Sequence, residues 1–229
     1  MRTLPVSLTH TEKVLIWSFW GLQLLVLPSA ISLLVLSFAP DMGIAAQNFL
    51  YLAFSFLVVS AIMLRFLRQS FKVFFARPFY ALRWAGICYI LYWVSFVALT
   101  LLLTSLVPAF QNANDTTIFT LFRENPTLTT IGVVILAPIT EELIYRGVIF
   151  GSIHSHSRFA AYAVSCIVFS AVHVVGYIGQ WDALTLVLCF VQYIPAGLCL
   201  AWAYERSGTI LSPILIHIAV NQAGILSWR

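Results

Sequence analysis

Long apolar runs that no charged side chain interrupts decide what this chain can fold into. No Asp, Glu, Lys or Arg falls within 14–38, 49–64, 84–107, 159–178, 184–204 or 209–226. Runs of this kind are long enough, as helices, to cross a hydrocarbon layer about 30 Å thick. Across its 229 residues the chain is 61% hydrophobic and 9% charged, against about 25% charged in an ordinary soluble domain. Too few polar side chains remain to cover a water-facing surface, so much of the exterior must face lipid. A further apolar run at 128–150 completes seven spans, although it contains Glu141, Glu142 and Arg146. The expected fold is all-α, a polytopic membrane helix bundle of about seven transmembrane helices, integral to a membrane.

The organisation along the chain is simple. Residues 1–127 supply the N-terminal spans and their connections, and 128–229 supply the spans that carry polar motifs, within one membrane domain. Pro28 and Pro138 are expected to bend the first and fourth spans, which packing against neighbours tolerates. The run at 14–38 is too long for the apolar core of a signal peptide and reads as a retained span. Cys88, Cys166, Cys189 and Cys199 lie in apolar runs without a CxxC pair, so they read as buried thiols. Arg65, Arg68, Lys72, Arg77 and Arg83 cluster in one connection, where a basic excess marks a cytoplasmic loop rather than a nucleic-acid site. That places the N-terminus inside the cell, the polar segment 108–127 outside, and Arg229 outside as well. Membrane lipid is the expected surrounding, and no nucleic-acid partner is expected.

Two adjacent carboxylates inside an apolar helix, Glu141 and Glu142, are the most demanding feature of the sequence. Each costs on the order of 3 kcal/mol at the centre of a membrane helix on insertion scales. Arg146 follows Glu142 by one helical turn, where an ion pair offsets part of that cost. Glu141 points about 100° away and has no such partner on its own helix. His173 lies on the fifth span with Phe169 one turn before it, and His217 and Asn221 share one face of the seventh. At 1.5 Å per residue, the depths are about 15 Å for Glu141, about 14 Å for His217 and about 21 Å for His173. A free carboxylate, two imidazoles and an amide can supply the base, the oxyanion donors and the proton source that peptide hydrolysis requires. The same groups could instead serve as interhelical hydrogen bonds in a non-catalytic scaffold, or as an ion-coupled relay in a carrier.

Three motifs resemble those of the CPBP family of CAAX-type prenyl endopeptidases and bacteriocin-processing or immunity (Abi) proteins. They are Glu141-Glu142-Leu143-Ile144-Tyr145-Arg146 (EExxxR), Phe169-Ser170-Ala171-Val172-His173 (FxxxH) and His217-Ile218-Ala219-Val220-Asn221 (HxxxN), in the family's order. The resemblance implies an intramembrane protease of a bacterial or archaeal cytoplasmic membrane, acting on a membrane-associated or lipidated peptide or protein. It implies that Glu141 and His173 activate water and that His217 and Asn221 stabilise the oxyanion. Glu142, Arg146 and Phe169 would support them. The family has been described both as glutamic-type and as metal-dependent. Asn221 is a poor zinc ligand and a good oxyanion donor, and no HExxH helix is present, which favours a metal-free glutamate mechanism. Zinc, held by Glu141, His173 and His217, is the alternative.

Overall fold

A computed structural model describes residues 4–228, and these form ten helices joined by short turns. In chain order they are α1 (His10–Leu25), α2 (Leu27–Phe38), α3 (Ile44–Ile62), α4 (Leu64–Ala76), α5 (Pro78–Leu106), α6 (Ala113–Glu124), α7 (Pro126–His154), α8 (Arg158–Val175), α9 (Ala183–Ser207) and α10 (Leu211–Leu226). The protein is a polytopic helical bundle. Five helices, α3, α5, α7, α8 and α9, are long and apolar enough to span a membrane, and the pair α1 and α2 makes a sixth if counted as one span. The seventh run, α10, is apolar but only 16 residues long.

Three segments show more than hydropathy does. The run 14–38 is a pair of helices meeting at 55° around Val26. The bend expected at Pro28 is therefore present, and Pro28 stands in the first turn of the second helix, where a missing N–H costs nothing. The basic connection from Arg65 onward is the helix α4, which turns Arg65, Arg68 and Lys72 outward and buries Phe66. The polar segment 108–127 contains α6, started by the Asn112 side chain, which accepts from the N–H groups of Asn114 and Asp115. Arg229 lies outside the described residues.

Helix α7 is the axis of the bundle. In its most apolar window 56% of the residues are buried, against 17–28% for the other four spans, whose Leu, Val and Phe side chains largely face outward. It packs on α3, α8 and α10, while α9 fits between α8 and α5. Its backbone is not uniformly α-helical: Ile131–Leu136 and Leu143–Phe150 are π-helical, flanking an α-helical turn from Ala137 to Glu142. Pro138 stands at the start of that turn, and the wide turn before it accommodates a residue that has no N–H and whose ring would clash with the preceding turn. The two glutamates therefore close a short α-helical step between two π-turns.

Candidate active site

The chain brings Glu141, Glu142, Phe169, His173, His217 and Asn221 to one place. Glu142 and Arg146 are both inaccessible, and a guanidinium nitrogen of Arg146 donates to Glu142 Oε1 at 2.9 Å. The other terminal nitrogen of Arg146 reaches the Gly197 carbonyl at 3.3 Å, and the guanidinium carbon sits 4.3 Å from the centre of the Phe169 ring. Glu142 Oε1 also meets His217 Nδ1 at 2.8 Å. One carboxylate oxygen thus joins α7 to α10 and also receives the arginine of its own helix.

Glu141 is placed differently. Its side chain is 26% exposed, opening into a cavity of about 600 Å³, and its Oε2 has no hydrogen-bond partner among the described residues. Two imidazole nitrogens face that oxygen, His173 Nε2 at 3.7 Å and His217 Nε2 at 4.0 Å. The depth difference calculated for His173 does not keep it from Glu141, because the π-turns of α7 break the uniform rise on which it rests.

Hydrogen bonding fixes both rings. His173 Nδ1 lies 2.7 Å from the Phe169 carbonyl, which can only accept, so Nδ1 carries a proton and the neutral ring presents a lone pair at Nε2. His217 Nδ1 likewise faces a carboxylate. Packing fixes them too, since the Phe169 ring lies 4.6 Å from His173 and 5.9 Å from His217, and the Tyr193 ring lies 4.3 Å from His173. Asn221 Nδ2 donates one hydrogen to the Val133 carbonyl at 2.9 Å and lines the cavity with the rest of its amide.

A pair of imidazoles and a carboxylate is chemically a zinc-ligand set. Among the described residues, however, no group of three or more His, Cys, Asp and Glu side chains is arranged to hold a metal ion.

The sequence reading passed over several groups that build this cavity. Asn112, Asn114, Tyr177, Gln192 and Tyr193 also line it. Gln192 is an amide in the middle of an apolar span, and that was a legible signal of the kind that singled out Asn221. Glu205 is buried near the end of α9, where it binds Arg158, His154 and Tyr162 at 2.6, 2.9 and 2.8 Å and ties the α7–α8 turn to α9.

Residues 123–223 match the family model for type II CAAX prenyl endopeptidase Rce1-like proteins. The segment is similar to that family. It contains all three motifs and every residue of the cluster just described. Among curated proteins, the chain is 31% identical over 91 residues to UPF0177 protein YxdF of Lactococcus lactis, which is 39% of this chain and 44% of that protein. It is 35% identical over 91 residues to UPF0177 protein YaiF of the same organism, 40% and 36% of the two chains. It is 33% identical over 88 residues to the putative membrane peptidase YdiL of Bacillus subtilis, 38% and 32% of the two chains. The chain thus spans less than half the length of each of these relatives. No solved structure matches it.

Proposed function

We propose that the protein is an intramembrane endopeptidase that hydrolyses a peptide bond of a membrane-associated or lipidated substrate with water activated by Glu141. The observation that carries this reading is the unpartnered Glu141 oxygen facing two fixed imidazoles inside a cavity. A buried acceptor without a partner is costly and suits a position where water is bound and deprotonated. Glu141 takes a proton from the water, the resulting hydroxide attacks the carbonyl carbon, and the C–N bond then breaks as Glu141 returns the proton to the leaving amine. His173, with its lone pair at Nε2, orients the water by accepting its second hydrogen. The free amide hydrogen of Asn221 and an Nε2–H of His217 face the developing oxyanion. That role requires His217 to hold protons on both nitrogens, with Nδ1–H donated to Glu142. The Rce1-like match supports the reaction class.

The test is cleavage of a peptide set by the reconstituted protein, followed by mass spectrometry. Glu141→Gln keeps the shape and removes the base, so turnover should fall by at least about a hundredfold. Unchanged turnover in a folded Glu141→Gln protein overturns the assignment. A strong chelator should leave the parent active; a loss that added zinc restores would replace the glutamate mechanism with a metal-dependent one.

A further inference from the structure

Two polar side chains of the N-terminal helices, outside the matched segment 123–223, border the Glu141 cavity with atoms that nothing meets. Gln23 is the one amide in the apolar run 14–38, and Ser55 lies in the middle of α3. Gln23 is only 9% exposed and Ser55 is inaccessible, yet Gln23 Oε1 and Ser55 Oγ have no hydrogen-bond partner among the described residues. The Gln23 amide does interact with the Tyr51 hydroxyl, which leaves its carbonyl oxygen unmet. A serine in an apolar helix commonly donates to the carbonyl one turn back, as Ser37 and Ser95 do here. Ser55 makes no such bond.

Position ties these groups to the reacting centre. Helices α1 and α3 pack against each other, and α3 packs on the Ala137–Glu142 turn of α7 that carries Glu141. Chemistry then narrows the ligand. A buried polar atom without a partner is unfavourable, and hydrocarbon would leave it so. The Gln23 oxygen only accepts, and among the described residues no Lys or Arg lines the cavity, so nothing there favours an anion. A neutral amide, which offers one N–H and one carbonyl, suits an acceptor beside a hydroxyl.

We infer that Gln23 and Ser55 form a subsite for the main chain of the bound peptide, Gln23 Oε1 accepting a backbone N–H and the Ser55 hydroxyl donating to a backbone carbonyl. The inference rests on the hydrolase reading for its occupant, a peptide. On that basis α1 and α3 hold the substrate through its backbone, whatever side chains it carries, and a proline is excluded where Gln23 needs the N–H.

Binding tests the subsite separately from turnover. The full chain carrying Glu141→Gln is reconstituted in phosphatidylcholine vesicles, and affinity is read by the anisotropy of a neutral fluorophore on an acetylated, amidated Ala/Leu peptide. In a series of such peptides one amide at a time is replaced by an ester, which removes an N–H and weakens the carbonyl beside it without adding bulk. The ester that lacks the N–H facing Gln23 should bind about tenfold more weakly than the all-amide peptide, the scale of one buried acceptor left unmet. Adding Gln23→Leu should weaken the all-amide peptide by a similar factor and abolish that ester's penalty, because the partner is already gone. Ser55→Ala should blunt the penalty at the ester whose carbonyl it meets, and the thermal midpoint of the unliganded Ser55→Ala protein should not fall, since no bond is lost. An ester series without a favoured bond, no binding of any peptide, or penalties that survive both substitutions overturns the subsite. Cleavage of the all-amide peptide by the protein with Glu141 intact is scored separately. Cleavage with a flat ester series would sink the subsite and keep the hydrolase; an ester penalty that depends on Gln23, without cleavage, would do the opposite.

Discussion

Glu141 and Glu142 are neighbours in sequence with opposite situations. Glu142 and Arg146 are fully enclosed, and the carboxylate holds both the guanidinium and His217. Replacing Glu142 by Gln leaves a buried guanidinium without its counterion, a loss of about 3–5 kcal/mol by the usual scale for breaking one side of a buried pair. Glu141→Gln removes no hydrogen bond found among the described residues, so its thermal midpoint in detergent should stay close to that of the parent. Glu142→Gln should denature at a clearly lower temperature, and Glu142→Gln with Arg146→Met should recover part of the loss, because the second change removes the orphaned charge. Equal midpoints for the two single variants would contradict this division. The i,i+4 spacing made the Glu142–Arg146 pair legible in the sequence. The His217 bond to the same oxygen was not legible, since the spacing within one helix says nothing about which side chain of another helix will face it.

At the scale of the element, what the sequence hides is backbone geometry. Hydropathy located every span to within a few residues, because the signal of a membrane helix is its composition. It could not show that α7 alternates π- and α-helical turns, or that 14–38 is two helices, because those outcomes depend on how proline and packing are accommodated. Gly197 on α9 illustrates the packing limit. A Cβ added there would stand 2.7 Å from Cys166 Sγ and 3.2 Å from the Cys166 Cα, so α8 touches α9 with no room for a methyl group. The Gly197 carbonyl also accepts from Arg146, which couples this contact to the site. Gly197→Ala should therefore destabilise by about 1–3 kcal/mol, the range for overpacking. Adding Cys166→Ala should restore only part, because the backbone contact remains. Gly176→Ala is the control, with nothing within 4 Å of the added atom, and it should leave the thermal midpoint unchanged. Equal midpoints for Gly197→Ala and Gly176→Ala would show that the α8–α9 contact can relax.

For the whole molecule, the long α5 decides the arrangement: α4 lies at its start and α6 at its end, so the basic helix and the polar helix occupy opposite ends of the bundle. Thr209 and Ser212 bond to the carbonyls of Ser70 and Ala81 at the α4 end, while Asn114 and Tyr177 meet at the α6 end. Hydropathy and charge alone had put these two segments on opposite sides, since an odd number of crossings separates them. The orientation itself follows from charge. Arg65, Arg68, Lys72, Arg77 and Arg83 gather at one end, and basic excess near span ends stays on the cytoplasmic side. The α4 end is therefore proposed to be cytoplasmic, which directs α6 toward the outer side. Gln69 on α4 and Gln111 just before α6 are both exposed, so a cysteine at either site is reachable. The native thiols Cys88, Cys166 and Cys189 are buried and Cys199 is half-buried, so the unaltered protein serves as the control. A membrane-impermeant maleimide applied to intact cells should label Gln111→Cys, and should label Gln69→Cys only after the membrane is opened. The reverse pattern would invert the bundle.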